Sequence, residues 1–372
     1  MKLLFLFGTR PEAIKMAPLI KEFSKDSKFE VRVGLTAQHR ELLDQVMHFF
    51  GITAHYDLNV MKPNQTLHGL TSVLIQDITE KILLQEKFDY VFVQGDTTTV
   101  LAGSLAAFYQ KIPVIHIEAG LRSKDKFSPF PEEINRVLTS HIAAMHFCPT
   151  ETAKGFLEIE GISKNVFVVG NTVIDALLNG LNIIKNTSEE VYFKKFEKVD
   201  FSKKIILVTS HRRENFGHPL DEILEAVYIV AEKFFNEIEI IFPVHPNPNV
   251  KEVVSKKLIA PNIILYNPLD YPELIWVMDK SYFIMTDSGG IQEEAPSLGK
   301  PVLVLREVTE RMEGVDAGTA VLVGYSKEKI IFEAEKLLND SSYYNRIANS
   351  VNPYGDGNTA GRVKQILEKV IN

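Results

Sequence analysis

The clearest indication of the fold is the stretch Met285-Thr286-Asp287-Ser288-Gly289-Gly290-Ile291-Gln292-Glu293-Glu294-Ala295-Pro296. Apolar residues at 282–285 predict a short buried strand, the polar residues 286–290 predict a turn, and the composition of 290–298 predicts a helix. A strand that ends in Ser-Gly-Gly and opens into a helix presents backbone N–H groups that no Cβ obstructs. The helix start favours an anion, so this turn is a candidate site for a phosphate or diphosphate.

Acidic residues in the same stretch argue against a bare inorganic anion. Asp287, Glu293 and Glu294 would repel it. Glu294 lies about one helical turn beyond Gly290, where its carboxylate could accept hydrogen bonds from the hydroxyl groups of a ribose. A phosphate site followed by a diol site suggests a nucleotide. The alternative is a glycine turn that only joins a strand to a helix.

Strand-like and helical segments alternate throughout the chain. In the first half, strands are expected at 3–7, 31–36, 90–94, 114–118, 145–149 and 166–169, and helices at 12–25, 41–50, 67–85, 100–110 and 133–143. After Asn171, strands are expected at 205–209, 238–244, 263–266, 283–286, 302–305 and 321–323. Continuous β-branched runs indicate strands buried on both faces, and their alternation with helices predicts parallel sheets. We therefore expect an α/β protein with two doubly wound, Rossmann-like domains.

The restart of this alternation places the domain boundary near residues 170–175. The first domain is expected to comprise residues 1–170 together with a C-terminal helix at 355–372, and the second residues 171–354. The segment 352–358 is rich in turn-forming residues and precedes that last helix. We expect the helix to pack back onto the first domain.

Composition limits the classes of protein to consider. The chain has 372 residues, 45% of them hydrophobic and 24% charged, as in soluble globular proteins of about two domains. No apolar run is long enough to span a bilayer, and residues 3–7 are expected to be the first strand rather than part of a leader. The net charge of −7 argues against a nucleic-acid partner. The single cysteine, Cys148, excludes an internal disulfide and fits a reducing cytoplasm, where we expect an inert buried thiol.

Ligands of open α/β sheets bind at the carboxyl ends of strands, so residues directly after strands are the candidates for a site. Arg10 and Pro11 follow the first strand, and Pro11 suits the first turn of a helix. Arg10 and Lys15, about one turn later, could approach one phosphate; a surface Arg and a solvated Lys are the alternative. The sequence lacks Gly-x-Gly-x-x-Gly after this strand and lacks a Walker A motif, so neither a conventional nicotinamide site nor ATP cleavage is supported.

Carboxylates lie at three further strand or helix ends. Asp96 follows the strand at 90–94, Glu118 ends the strand at 114–118, and Glu132 stands at the head of the helix at 133–143. Each has a structural explanation, as a helix N-cap for Asp96 or as a favourable charge at a helix start for Glu132. Three carboxylates at neighbouring positions favour an acid/base site.

A basic segment follows the first strand of the second half. His211, Arg212 and Arg213 come after residues 205–209 and suggest a second anion contact, with a loop of solvated charges as the alternative. The sequence contains no His-x-x-x-His or Cys-x-x-Cys pattern of the kind typical of metal sites.

Together these motifs resemble the non-hydrolysing UDP-N-acetylglucosamine 2-epimerases. The resemblance is carried by Phe7–Pro18, Gln38-His39-Arg40, Gly95-Asp96-Thr97-Thr98-Thr99, His116–Arg122, Pro131-Glu132-Glu133, His211–Asn215, Thr286–Pro301 and Asn352–Gly357. It implies a GT-B architecture, in which two Rossmann-like domains hold a nucleotide sugar in the cleft between them, and a homodimer. It also implies interconversion of UDP-GlcNAc and UDP-ManNAc, often as a supply step for surface polysaccharides. Because the nicotinamide and metal-site motifs are missing, we expect no cofactor and no metal.

The resemblance also implies roles for individual residues. The positions that match the catalytic set of the family are Asp96, Glu118, Glu132 and His211. Those that match its UDP-binding set are Arg10, Lys15, Ser288, Gly289, Gly290, Glu294 and Arg311. Gln38, Gln65, Glu133, Arg212 and Arg213 correspond to a region where many bacterial members bind a second UDP-GlcNAc as an activator. Two departures, Leu274 in place of a frequent aromatic residue and Met312 in place of a common proline, bear on nucleotide packing.

The chemistry of C2 inversion is consistent with these residues. Since no nicotinamide motif is present, we expect UDP to leave the anomeric carbon while the C2 hydrogen departs, with carboxylates serving both faces of the glycal intermediate. Asp96 and Glu132 would transfer protons during elimination, Glu118 would serve re-addition or polarise the sugar, and His211 would hold the leaving phosphate. The alternatives are a hydrolysing epimerase, an epimerase for a modified UDP-hexosamine, a GT-B glycosyltransferase and a nucleotide-sugar sensor without turnover.

Overall fold

Two parallel sheets organise the chain into two structural units. The computed structural model describes residues 1–36, 40–62, 65–210, 212, 215 and 217–371, with only the backbone of residues 248, 249 and 371. One unit comprises Met1–Asn179 together with Tyr354–Asn372, and the other comprises Gly180–Pro353. Each unit contains its own parallel sheet, with helices packed around it.

The strands and helices alternate along the chain. The strands are β1 (Lys2–Phe7), β2 (Glu30–Leu35), β3 (Tyr56–Asp57), β4 (Tyr90–Gln94), β5 (Val114–Ile117), β6 (Met145–Cys148), β7 (Val166–Val168), β8 (Lys204–Thr209), β9 (Ile238–Pro243), β10 (Ile263–Tyr266), β11 (Phe283–Thr286), β12 (Val302–Val304) and β13 (Ala320–Leu322). The helices are α1 (Arg10–Ser24), α2 (Arg40–Phe50), α3 (Leu67–Ile78), α4 (Thr98–Tyr109), α5 (Glu132–Ile142), α6 (Glu151–Ile159), α7 (Thr172–Thr187), α8 (Glu190–Lys195), α9 (His218–Lys233), α10 (Pro248–Lys257), α11 (Tyr271–Lys280), α12 (Gly289–Glu294), α13 (Met312–Asp316), α14 (Lys327–Asn339), α15 (Ser341–Ala348) and α16 (Thr359–Ile371).

Both sheets are parallel and doubly wound. The first has seven strands in the order β3-β2-β1-β4-β5-β6-β7, and the second has six in the order β10-β9-β8-β11-β12-β13. All the pairings are parallel. The strand order reverses between β1 and β4 in the first sheet and between β8 and β11 in the second. Connections leave in opposite directions at such a switch point. Ligands of α/β sheets bind there, beyond the carboxyl ends of the strands.

The apolar runs that predicted strands form the cores of the two sheets. In β1 every residue of the run 3–7 is fully buried, and the Phe5 ring stacks on Phe92 of β4 with centroids 4.4 Å apart. In the second unit the fully buried Trp276 stacks on Phe196 at 5.4 Å. Burial of both sheet faces explains why these strands have continuous apolar sequences rather than alternating ones.

The predicted fold class, an α/β protein with two Rossmann-like domains of the GT-B type, is confirmed. The single helix expected at 67–85 is wrong in one respect, since α3 ends at Ile78 and continues as a π-helical turn, Thr79–Leu83. There the Leu84 N–H donates to the carbonyl of Thr79, five residues back. The short strand β3 was not expected, because two residues carry no recognisable period. None of the helices in the part of the chain that the structure describes is both long and apolar enough to cross a membrane.

The division between the units lies later in the chain than the expected boundary at 170/171. It falls inside α7, after Asn179. The start of α7 belongs with the first unit because it is bonded to the returning C-terminal segment. The Asn171 N–H donates to the Tyr354 carbonyl at 2.7 Å, and the buried Asp175 carboxylate accepts the Ala360 N–H at 2.8 Å, at the start of α16. Asp175 therefore serves as an N-cap supplied from a distant part of the sequence.

Candidate functional site

In the first unit, the turns after β1, β4 and β5 carry candidate residues. Arg10 is the first residue of α1, Asp96 lies in the turn between β4 and α4, and Glu118 directly follows β5. β4 pairs with both β1 and β5. Because the three strands are parallel, their carboxyl ends meet at one edge of the sheet, and these turns lie side by side.

Two residues of α5 hold Asp96. The Asp96 carboxylate forms an ion pair with Arg136, and its backbone carbonyl accepts a hydrogen bond from the Asn135 side chain at 2.9 Å. The side chain keeps 27% of its surface exposed. Burial raises the pKa of Asp96 above its ordinary value; the Arg136 guanidinium opposes this shift, and the nearby Glu118 charge adds to it. A solvent-accessible carboxyl with a raised pKa is suited to proton exchange.

The interpretation of Asp96 as a helix N-cap is wrong. The N-cap of α4 is Thr97, whose hydroxyl accepts the Val100 N–H at 3.3 Å. A threonine N-cap satisfies one of the open N–H groups at the helix start. The Asp96 carboxylate is therefore directed to Arg136 instead of to the helix backbone.

Glu118 is held in a strained backbone conformation by two donors. Its φ of 63° lies in the left-handed region that non-glycine residues rarely adopt. Both carboxylate oxygens lie 2.6 Å from the Lys15 ammonium, and the Gln94 amide donates to Oε2. Its side chain is only 6% exposed. Such strain at a strand end, maintained by specific partners, is typical of functional sites.

The partner of Lys15 differs from the sequence-based expectation. Lys15 was expected to bind a phosphate, and in this structure its ammonium contacts the carboxylate of Glu118, 103 residues further along the chain. A nearly buried carboxylate is stabilised by a nearby cation, which explains this pair. The contact of Lys15 with UDP stays a prediction.

The first turn of α5 contains both of its predicted acids. Glu132 is its first residue and is partly exposed. Glu133 is buried and accepts the backbone N–H groups of Ser123 at 2.9 Å and Lys124 at 3.1 Å. Glu133 also pairs with Arg136 at 3.2 Å. Glu133 thus connects the loop after β5 to Arg136, which holds Asp96. The contact of Glu133 with an activator stays a prediction.

Two further ionisable groups of this unit are deeply buried. The His116 Nε2 lies 2.8 Å from the carbonyl of Gly95, next to Asp96, and burial lowers the pKa of His116 to about 3. A neutral His116 can donate from Nε2 and support the turn that carries Asp96. Cys148 is free and buried at the end of β6, and burial raises the pKa of its thiol to about 12. The expected burial of this thiol is confirmed, and its raised pKa disfavours the nucleophilic thiolate.

In the second unit, the Ser-Gly-Gly turn follows β11 at the switch point. Ser288 is the N-cap of α12, and its N–H donates to the Thr286 hydroxyl at 3.0 Å. Arg311 lies against this turn, since a Cβ built on Gly289 would come within 3.1 Å of its guanidinium carbon. Glycine at this position therefore leaves room for the arginine. Arg311 also donates to Glu293 at 3.0 Å.

The acids around this turn have internal partners, which explains their presence beside a candidate anion site. Asp287 is fully buried, and its Oδ2 accepts from the Ser210 hydroxyl, the Arg212 N–H and the Asn215 amide, at 3.2, 2.9 and 2.9 Å. Asp287 thus holds the loop after β8. Glu293 is paired with Arg311 as described above. Hydrogen-bond donors of the protein therefore stabilise the negative charges of Asp287 and Glu293.

Glu294, which the sequence suggests as a ribose contact, is the last residue of α12. It is buried, and its Oε1 accepts the Tyr271 hydroxyl at 3.0 Å. Its Oε2 points towards Gly290, lying 3.8 Å from a Cβ built there. Tyr271, the first residue of α11, therefore orients the carboxylate beside the glycine turn.

The structure does not describe every predicted residue. His211, Gln38 and Arg213 are outside the described residues. The side-chain oxygen of Gln65 accepts the Lys62 N–H at 3.3 Å, and the Arg212 N–H donates to Asp287. Within the described ranges, no group of three or more His, Cys, Asp and Glu side chains is arranged to hold a metal ion.

Three residues that were not predicted contact the candidate carboxylates: Arg136, Gln94 and Tyr271. Arg136 had a local signal, because it follows Glu132 and Glu133 by four and three residues and so shares their helix face. Gln94 is a polar residue at the carboxyl end of a buried strand, which is also informative. Tyr271 had no signal, since its contact with Glu294 spans 23 residues and a change of element.

A doubly wound parallel sheet in each of two units, with ionisable residues at both switch points, defines a two-domain α/β protein of the GT-B type. Residues 21–368 match the sequence family described as UDP-N-acetylglucosamine 2-epimerase. The chain belongs to this family.

Similar proteins cover nearly the whole chain. The UDP-N-acetylglucosamine 2-epimerase of Escherichia coli (strain K12) is 50% identical over 372 residues, which cover 99% of this chain and 98% of the relative. A solved structure of the Neisseria meningitidis UDP-GlcNAc 2-epimerase bound to UDP-GlcNAc is 49% identical, with a TM-score of 0.90, and covers 99% of this chain and 100% of its own. The Methanocaldococcus jannaschii UDP-GlcNAc 2-epimerase in complex with UDP-GlcNAc and UDP is 39% identical, with a TM-score of 0.81, 99% coverage of this chain and 100% of its own.

Proposed function

We propose that this protein is a non-hydrolysing epimerase that interconverts UDP-GlcNAc and UDP-ManNAc at C2. The observation that carries the proposal is the carboxylate pair at the first switch point, where Asp96 with a raised pKa lies beside the strained Glu118. Relatives of this chain are described as bound to UDP-GlcNAc and to UDP, which supports the substrate.

The reaction proceeds by elimination and re-addition. The C1–O bond to the diphosphate breaks and UDP keeps the electron pair, while the C2 hydrogen leaves as a proton to a carboxylate. A double bond forms between C1 and C2, and the product is a 2-acetamidoglucal. UDP then adds back to C1 as a proton returns to the opposite face of C2. No electron is gained or lost in the cycle, so no redox cofactor is required.

The carboxylates divide the proton transfers among themselves. Asp96 and Glu132 act in elimination, and Glu118 serves re-addition or polarises the sugar. Burial of Asp96 beside Glu118 supports its acid/base role, because both raise the pKa of this carboxyl and so favour uptake of a proton. Coupled carboxylates titrate as a set, so these roles belong to the group as a whole.

The nucleotide is held by groups that stabilise negative charge and bind hydroxyls. Arg10, Lys15 and His211 act on the diphosphate, and so do the backbone N–H groups at Ser288, Gly289 and Gly290 and the guanidinium of Arg311. Glu294, oriented by Tyr271, accepts the ribose hydroxyls. Donors aimed at the leaving diphosphate lower the barrier to C1–O cleavage since they stabilise charge that develops only as the bond breaks.

We further propose a homodimer in the cytoplasm, with a second UDP-GlcNAc as an activator. Its candidate contacts are Gln38, Gln65, Glu133, Arg212 and Arg213. Glu133 supports a link to turnover, because it contacts Arg136, which holds Asp96. A ligand that displaces Glu133 would therefore change the position of a catalytic carboxylate.

The test is incubation with UDP-GlcNAc in D₂O, followed by NMR. We expect UDP-GlcNAc and UDP-ManNAc, both with deuterium at C2, and no net release of UDP. Free ManNAc with stoichiometric UDP would instead assign a hydrolysing epimerase. Complete retention of hydrogen at C2 in every UDP-hexosamine tested would rule out epimerisation at this carbon.

A further inference from the structure

Glu12 is a buried acid that the proposed mechanism does not use. Its side chain is almost completely buried in the first turn of α1. One oxygen, Oε2, accepts the N–H groups of Gly8 at 3.0 Å and Thr9 at 2.7 Å. The other, Oε1, accepts the hydroxyl of Thr97 at 2.7 Å, 85 residues away. Glu12 therefore joins the turn after β1 to the turn after β4.

Thr97 forms the other end of this link. Its hydroxyl donates to Glu12 and accepts the Val100 N–H at the start of α4. Both hydrogen-bonding directions of the hydroxyl are thus used, which fixes its rotamer. Thr97 directly follows Asp96, whose carbonyl and carboxylate are held by α5.

The second oxygen of Glu12 does more than capping requires. Glu12 and Thr9 form a capping box at α1, and Glu273 and Asp270 form one at α11. In the α11 box, the other oxygen of the glutamate pairs with Lys195, a side chain that is 45% exposed. In the α1 box, it is buried and bonded to the N-cap of a neighbouring helix. Capping alone therefore does not explain the contact with Thr97.

The link lies between two groups of the proposed site. The turn after β1 carries Arg10, assigned to the diphosphate, and the turn after β4 carries Asp96, assigned to proton transfer. Elimination breaks the C1–O bond and the C2–H bond of the same sugar, so the two groups must keep a fixed separation along that sugar. Positional errors of about 1 Å at a reacting centre can cost on the order of 10²-fold in rate.

We propose that Glu12 is a positioning residue, which through Thr97 sets the distance between the diphosphate-binding turn and the turn that carries Asp96. This inference rests on the proposed function. A buried carboxylate is costly unless it is hydrogen-bonded. The N–H groups of Gly8 and Thr9 and the hydroxyl of Thr97 offset that cost for Glu12. The same bonds hold the two turns rigidly.

The first test removes the hydroxyl at the far end of the link. Thr97→Val should lower kcat by about 10- to 100-fold and change KM for UDP-GlcNAc much less, since alignment matters most in the transition state. Thr97→Ser keeps the hydroxyl and should stay within about 3-fold of the wild type. Turnover is followed by UDP-ManNAc formation, and Tm is recorded for each variant.

Thr150→Val is the matched control. Thr150 is the N-cap of α6 and accepts the Ala153 N–H at 3.2 Å, so this variant also removes an N-cap hydroxyl of the first unit. We expect a lower Tm and an unchanged kcat. Equal kcat values for Thr97→Val and Thr150→Val would overturn the inference, because Thr97 would then act only as a helix cap.

A double-mutant cycle tests whether Glu12 and Thr97 act together. Glu12→Gln alone should lower kcat, because an amide cannot accept from both sides as the carboxylate does. The double variant with Thr97→Val should be no slower than the slower single variant, since both break the same link. Multiplicative losses would contradict a shared link. A wild-type protein without exchange at C2 would refute the proposed function instead, so the two failures are distinguishable.

Discussion

Acidic residues follow strands at the switch points of both units, yet they are used differently. In the first unit, Asp96 and Glu118 are paired with cations on other elements, and 27% of the Asp96 side chain remains exposed. In the second unit, Asp287 is fully buried and bonded to the loop after β8. The first arrangement leaves a carboxylate that can exchange protons. The second uses a carboxylate to hold the loop after β8 in place.

This contrast shows that position after a strand does not by itself identify a catalytic acid. Solvent access and the number of fixed donors decide whether a carboxylate can change its protonation state during a reaction. Asp287 Oδ2 accepts hydrogen bonds from three protein donors, on Ser210, Arg212 and Asn215. For Asp96, burial and the nearby Glu118 charge raise the pKa and so favour the protonated form.

The largest expected effect is on the acids of the first unit. Asp96→Asn and Glu132→Gln should each lower kcat by roughly 10²–10⁴-fold, because general acid/base groups contribute that much. Tm should stay close to that of the wild type, since both side chains are partly exposed. C2 deuterium incorporation and thermal unfolding are the measurements. Near-normal turnover in both variants would remove these residues from the mechanism and erase the contrast.

A smaller effect is expected from the cation that holds Asp96. Arg136→Met should lower kcat/KM at pH 8 by about 10-fold or more, because a charge-assisted hydrogen bond of about 1.5–3 kcal/mol is lost. Arg136 lowers the pKa of Asp96, so its removal raises that pKa further. If ionised Asp96 is the base, the acidic limb of the pH profile moves to higher pH.

Arg32→Met is the control for this variant. Arg32 forms ion pairs with Glu30 and Glu86 in the same unit. Its removal should leave the acidic limb of the kcat/KM profile in place. A movement of that limb to lower pH in Arg136→Met would contradict the assignment of Asp96 as the base.

The smallest effect is expected in the second unit. Tyr271→Phe removes the hydroxyl that orients Glu294 and should weaken UDP binding by about 2- to 10-fold, as expected for one hydrogen bond. Titration calorimetry with UDP measures this. Tyr343→Phe removes a hydroxyl bonded to Glu333 in the same unit and is the matched control. Equal affinities of the two variants would show that the Tyr271 contact does not support a ribose site.

Much of the fold was predictable because each element has a local signal. Runs such as residues 3–7 marked buried strands, and Pro11 marked the first turn of a helix. The candidate site was predictable as a set of turns, since ligands bind after strands. The π-helical turn Thr79–Leu83 and the two-residue β3 were not, because neither has a distinct pattern.

The contacts inside the site were less predictable. Asp96 was a reasonable candidate for an N-cap, and Thr97 takes that role instead. The acids near Ser288 conflicted with an anion site until their donors were known. Side chains of similar type compete for such roles locally, and the distant partners decide between them.

Local sequence patterns specify the alternation of strands and helices, the parallel sheets and the turns that carry ionisable residues. These follow from periodicity and turn chemistry, which act over a few neighbouring residues. Only the tertiary structure decided that Lys15 contacts Glu118, that Glu12 reaches Thr97 and that Asp287 holds the loop after β8. These contacts depend on which strands are neighbours in each sheet, and strand order brings together turns that are far apart in the chain.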